Sequence, residues 1–169
     1  RLYRVVRLTA KELGKKANLD IRGGQVELDR SVLEKMIGPI EHLLRNAITH
    51  GLEDVAQRQA AGKPEIGEIA LTLSQEGNEV VIDMTDDGAG LNFERIRSKA
   101  IEQGLLASDQ YPDEVVLTDF IFHAGFSAAR ELTEIAGRGV GMDVVKSETA
   151  QLGGRIAVSS TPGKRARFR

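Results

Sequence analysis

Three polar side chains, His42, Asn46 and His50, recur every four residues within "HLLRNAITHG", residues 42 to 51. On a helix, i, i+4 and i+8 form a column on one face. Leu43, Leu44, Ala47 and Ile48 form an apolar stripe that could pack a core. Asn46 offers a neutral amide oxygen suited to a hard cation such as Mg²⁺, which takes few protein ligands plus phosphate and water oxygens. His42, one turn earlier, could take or orient a proton beside that cation. His50 could bond a phosphate or simply finish the stripe. A core-satisfied role is the usual explanation for one polar residue on a helix; three in register weaken it. Zinc is disfavoured, because the two imidazoles are eight apart with Asn between and no third soft ligand is apparent.

Two further stretches carry chemistry. Val80, Ile82, Met84 and Asp86 share one parity of a strand, so a carboxylate points to the side of the apolar residues. An unpaired buried carboxylate costs several kcal/mol, so Asp86 needs a donor, and an adenine amino group would serve. Gly88 and Gly90 follow and would let backbone approach a flat ring. The ordinary alternative is a Gly-rich turn in which Asp bonds its own backbone. In "GRGVGMDVV", Gly137, Gly139 and Gly141 lead into an apolar helix whose free N–H groups would attract phosphate. No strand precedes the run and its third spacing is wrong for a Rossmann fingerprint; a Walker motif is absent. A flexible lid or a helix-capping loop explains this motif alone about as well.

These groups need elements to hold them. "RVVRLTAKELGKK" has helical spacing. "ANLDIRG" and "QVELD" alternate around Gly23-Gly24 and predict a short hairpin. A long helix is expected from Asp29 or Ser31, with a kink or restart at Gly38-Pro39. "EDVAQRQAAGKPEIGE" reads as a connector. "EIALTLSQEGNEVVIDMTDDG" predicts two strands around Glu76-Gly77-Asn78. Helices are expected in "NFERIRSKAIEQG", over about Asp113 to Phe122, and in "MDVVKSETAQLGG", with residues 123–138 as a mobile loop. "RIAVSS" and "RARFR" end the chain as strands. The mixture predicts an α/β fold, a two-layer sandwich with a mixed, mostly antiparallel sheet and helices on one face.

Bulk properties set limits. With 169 residues, 41% hydrophobic and 28% charged, one domain with a full core is expected over residues 1–169. A net charge of -2 gives no argument for nucleic acid or an anionic membrane. No Cys is present, which excludes disulfides and thiolate metal sites. No apolar run approaches the roughly 18 residues of a membrane span. The start on Arg1 and the end inside a strand-like run suggest a piece of a longer protein.

Taken together, the stretches resemble the ATP-binding catalytic domain of the chemotaxis histidine kinases. These form the CheA-like branch of the gyrase, Hsp90, histidine kinase and MutL ATPase superfamily, which has the Bergerat ATP-binding fold. "HLLRNAITHGLE" resembles the N box, "DDGAG" matches the D-x-G-x-G adenine box, and "FIFHAGFSAARELTEIAGRGVGMDVV" resembles the F box, lid and second glycine box. The resemblance runs from about Arg4 to the end and implies that ATP and Mg²⁺ are bound. It assigns Asn46 to Mg²⁺ and to catalysis, and His42 to catalysis, where the hydrolysing branches typically carry Glu. Asp86 would accept from the adenine amino group, with Gly88 and Gly90 shaping that pocket. His50, Gly137, Arg138, Gly139, Val140, Gly141 and Met142 would contact the nucleotide, under a lid bearing Phe122, Phe126 and Ser127.

The implied activity is transfer of the ATP γ-phosphate to a His on a separate phosphotransfer domain in trans. A response regulator, a coupling protein and chemoreceptors would be reached through other domains, in a cytoplasmic, receptor-associated homodimer. The fragment itself would be monomeric, lacking its own phosphoacceptor, with residues 1–14 ending a preceding dimerisation or linker helix. Neither nucleic acid nor membrane insertion is expected. Thr49 stands where the family has Asp, Ala124 where Pro is common, and Arg165 and Ala166 where a Gly-Thr pair follows Gly163. These departures leave a degenerate nucleotide-binding scaffold as the alternative function.

Overall fold

A computed structural model describes residues 1–23, 27, 29–123, 142–161 and 165–168. Two compact units divide the chain: residues 1–91 with 156–169, and residues 92–155.

The first unit is built on a five-stranded sheet of order β1-β2-β3-β5-β4. Its strands are β1 (Ala17–Arg22), β2 (Gly67–Glu76), β3 (Glu79–Asp86), β4 (Val158–Thr161) and β5 (Arg165–Phe168). The two-residue turn Gly77-Asn78, with Gly77 at φ 62°, joins β2 to β3, as the alternation predicted. Opposite one another in that pair stand Ile69 and Asp86, Leu71 and Met84, and Leu73 and Ile82. Side chains of one parity share a face; Leu19, Ile69, Leu71, Met84 and Asp86 are all buried, whereas Glu68 on the other face is exposed. The sheet therefore has one core side, and it is mostly antiparallel, as expected.

One pairing differs. β1 runs parallel to β2, with Leu19 opposite Ile69, a pairing the local hairpin reading did not include. The expected second arm, from Gln25 to Asp29, falls largely outside the described residues. Parallel pairing joins segments some fifty positions apart, which local alternation cannot signal.

Helix α1 (Leu2–Leu13) buries Val6, Thr9 and Ala10 and ends at Gly14 in the left-handed conformation. Helix α2 (Arg30–Asn46) is capped by Asp29, whose side chain accepts from Ser31 N–H. It runs unbroken through Gly38 and Pro39, so no restart occurs there. Pro39 removes one helix hydrogen bond, and the burial of Pro39, Ile40, Leu43 and Leu44 offsets that loss. A π-helical turn follows over Ala47–Gly51. The expected connector after it contains a short helix, α3 (Val55–Ala60), with a capping box between Asp54 and Gln57.

The second unit is helical among its described residues. Helix α4 (Phe93–Glu102) is capped by Asn92, and α5 (Glu114–Phe120) by Asp113. They contact one another and bury Ile96, Ala100, Leu117 and Phe120. Helix α6 (Met142–Gln151) begins where the glycine run ends. No described helix is long and apolar enough to cross a membrane.

Candidate active site

The column of His42, Asn46 and His50 holds for one step and then breaks. His42 and Asn46 lie one turn apart near the end of α2, with His42 only 5% exposed and Asn46 half-buried. The next four residues lie in the π turn, where the backbone advances less angle per residue than in an α-helix. His50 is exposed, so the three side chains are not a single straight file. The apolar half of the reading stands, since Leu43, Leu44, Ala47 and Ile48 are buried.

The π turn is held from outside. Lys15 Nζ donates to the carbonyls of Ile48 at 2.7 Å and Thr49 at 3.1 Å. Carbonyls at a helix end lack helical partners, and a lysine there satisfies them and complements the dipole. Burial lowers the Lys15 pKa, while Asp54 and Glu53 raise it. The Thr49 hydroxyl oxygen is buried and makes no hydrogen bond to any described group.

Asp86 ends β3 with its carboxyl group on the core side, 4% exposed. Its Oδ1 accepts from Gly88 N–H at 2.9 Å. That bond is the self-turn that a Gly-rich loop allows, but a turn alone does not require burial of the carboxylate. Burial pushes the Asp86 carboxyl up to about 6; the Gly88 hydrogen bond and Lys63 oppose the rise, and Asp87 and Glu53 add to it. A carboxylate has about four lone-pair sites, so one peptide N–H leaves room for a donor of adenine type. On this chemistry the residues fit a purine amino group.

The two motifs meet at glycines. Ala89 N–H donates to the Gly51 carbonyl at 2.9 Å. A methyl at Gly88 would lie 2.1 Å from that oxygen, and one at Gly51 would lie 3.3 Å from both Asp86 carboxylate oxygens. Gly88 is thus needed for contact with the π turn. Gly90 has φ 75°, a conformation that favours glycine.

Sequence reasoning missed the cations beneath this loop. Arg58, on α3, is 0% exposed. It donates to the Pro64 carbonyl, to Glu53 at 3.2 Å and to Asp87 Oδ2 at 3.0 Å. Lys63 Nζ donates to Glu53 Oε2 at 2.7 Å and to the carbonyls of Asp87 and Gly88, each at 3.0 Å. The D-x-x-Q capping box and the two acids were the signals available.

Phe126, Ser127, Gly137, Arg138, Gly139, Val140 and Gly141, with the expected lid over 123–138 beyond His123, lie outside the described residues. So does Ala124. Met142 is described, as the buried first residue of α6. Phe122, in the same unit, lies under Lys146 Nζ, 5.4 Å from the ring centroid. Among the described residues no three His, Cys, Asp or Glu side chains form a metal-holding group.

Residues 37–169 match the family described as histidine kinase-, DNA gyrase B-, and HSP90-like ATPase. The chain is 45% identical over 168 residues to the chemotaxis protein CheA of Rhizobium meliloti (strain 1021), covering 99% of this chain and 22% of that protein. It is 46% identical over 164 residues to the chemotaxis protein CheA of Klebsiella aerogenes, covering 97% and 25%. To that of Bacillus subtilis (strain 168) it is 42% identical over 170 residues, covering 99% and 25%. The chain thus spans about a quarter of the length of these relatives. Among solved structures, a histidine kinase domain of the Erythrobacter litoralis EL346 blue-light activated histidine kinase shares the fold, with TM-score 0.53 and 14% identity over 99% of this chain and 61% of that one.

Proposed function

From the premise that the chain belongs to the histidine kinase-, DNA gyrase B-, and HSP90-like ATPase family, we propose that it binds ATP with Mg²⁺ and is the catalytic domain of a chemosensory histidine kinase. The observation that carries the reading is Asp86, a buried strand-end carboxylate with acceptor capacity to spare, joined through Gly88 and Ala89 to the turn that follows Asn46. The likeness to chemotaxis proteins CheA over nearly the whole chain supports the chemosensory assignment.

In this reading Asp86 accepts from the adenine amino group and fixes the base. Asn46 presents its amide oxygen to Mg²⁺, which supplies charge neutralisation at the phosphates when bound. His42, one turn away in a dry setting, takes or holds the proton of the acceptor imidazole. His50 and the glycine run of 137–141 contact phosphates, and Phe126 and Ser127 belong to the lid. The acceptor is a His on a separate phosphotransfer domain. Residues 1–169 act as one catalytic domain, cytoplasmic, in a protein that dimerises and meets its receptors through other segments.

Calorimetric titration with ATP, with and without Mg²⁺, tests the binding. Mg²⁺-dependent affinity that Asn46→Ala weakens about tenfold or more is expected, the scale of one lost charge-assisted contact. Incubation with γ-phosphate-labelled ATP should leave the chain unlabelled and should label an added phosphotransfer domain. ATP binding without transfer to that domain would favour the scaffold alternative.

A further inference from the structure

We propose that Lys63 is a positioning residue for the Asp86 carboxylate, acting through the peptide bond between Asp87 and Gly88. The inference rests on the reading of Asp86 as the group that recognises the base.

The Lys63 ammonium has three protons, and all three are placed: on Glu53 Oε2, on the Asp87 carbonyl and on the Gly88 carbonyl. The Asp87 carbonyl belongs to the same peptide unit as the Gly88 N–H, which donates to Asp86 Oδ1 at 2.9 Å. A cation on the oxygen end of a peptide polarises it and makes its N–H a stronger donor. The same cation opposes rotation of the unit, which would turn the carbonyl oxygen toward the carboxylate. Lys63 thus aims Asp86 and favours its ionised form without touching the nucleotide.

The surroundings tie this arrangement down. Asp87 Oδ1 accepts from Glu68 N–H at 2.9 Å and Asp87 Oδ2 from Arg58, whose Nη1 also reaches the Asp87 carbonyl, at 3.4 Å against 3.0 Å for Lys63. Glu53 bonds both Arg58 and Lys63, so it offsets two cations. The Lys63 side chain is 15% exposed, so water competes little for its protons. The charged groups acting on Asp86 are Asp87 and Glu53, which favour its protonation, and Lys63, which opposes it.

A loss of Lys63 should therefore blur recognition of the base more than grip on the phosphates. The test is titration of wild type, Lys63→Met and Lys63→Arg with ATP and with purine riboside triphosphate, which lacks the 6-amino group, at pH 6.0 and 7.5. Wild type should prefer ATP by about tenfold or more, the scale of one well-made polar contact. Lys63→Met should lose most of that preference while binding the analogue as wild type does, and its loss of ATP affinity on acidification should set in at a higher pH than in wild type, so that it is the weaker binder by a larger factor at pH 6.0. Lys63→Arg should recover part of the preference. An unchanged preference in folded Lys63→Met, or an equal loss for both nucleotides, overturns the proposal alone. No preference in wild type overturns the reading of Asp86 and the proposal with it. If Lys63→Met does not fold, Lys63→Gln, which keeps two donors without the charge, decides by the same outcomes.

Discussion

At the scale of single residues, Asp86 links acidity to stability and to binding in opposite senses. Its folded pKa of about 6 lies above the ordinary 3.8, so the folded free protein holds this proton more tightly than the unfolded chain. The ionised carboxylate accordingly costs about 3 kcal/mol at neutral pH, and that cost disappears as pH falls through 6 toward 4. A free protein whose Tm rises between pH 7 and 5, and an Asp86→Asn variant with a higher Tm at pH 7 but weakened ATP binding, are the expected outcomes. ATP affinity of the wild type should decline as pH falls through 6, because the charged acceptor is lost; calorimetry across that range checks it. Glycine substitutions should separate just as clearly. Gly88→Ala forces a methyl to within 2.1 Å of the Gly51 carbonyl oxygen, so a loss of about 3 kcal/mol or more is expected in urea unfolding. Gly51→Ala meets a carboxylate at 3.3 Å and should cost far less stability while disturbing Asp86. Asp86 was legible from strand parity; the need for Gly88 was not, since the oxygen that demands it lies on a distant segment.

At the scale of elements, caps and turns were the readable parts. Asp29, Asn92 and Asp113 cap the helices they precede, and Gly77-Asn78 turns β2 into β3, because each signal acts within four residues. The parallel partner of β1 and the burial of Arg58 were hidden, since both depend on segments far apart in the chain. The π turn gave no signal either: the apolar spacing simply continues to Ile48 and stops. Two predictions belong here. Asp54→Ala removes the accepted Gln57 N–H bond at 2.7 Å and should destabilise by about 1 kcal/mol in urea unfolding. Lys15→Met leaves the Ile48 and Thr49 carbonyls without their cation. A loss of about 1.5 kcal/mol, or about 4 °C in Tm, is expected, with a further weakening of Mg²⁺-dependent ATP binding because Asn46 adjoins that turn.

At the scale of the whole molecule, the sheet is closed by its latest strands. β3 pairs on one side with β2, its immediate neighbour in sequence, and on the other with β5, where Asp86 stands opposite Ala166. During synthesis the edge of β3 beside Asp86 must therefore wait while about 80 further residues emerge, roughly 4 to 16 s at ordinary translation speeds. Throughout that interval a nascent chain carries an open strand edge next to its buried carboxylate, and an open edge invites pairing with other chains. Chaperone demand should accordingly rise once β3 has emerged and fall once β5 has, and ribosome-bound chains stalled before Arg165 should be markedly more protease-sensitive along β3 than chains in which β5 has emerged and paired.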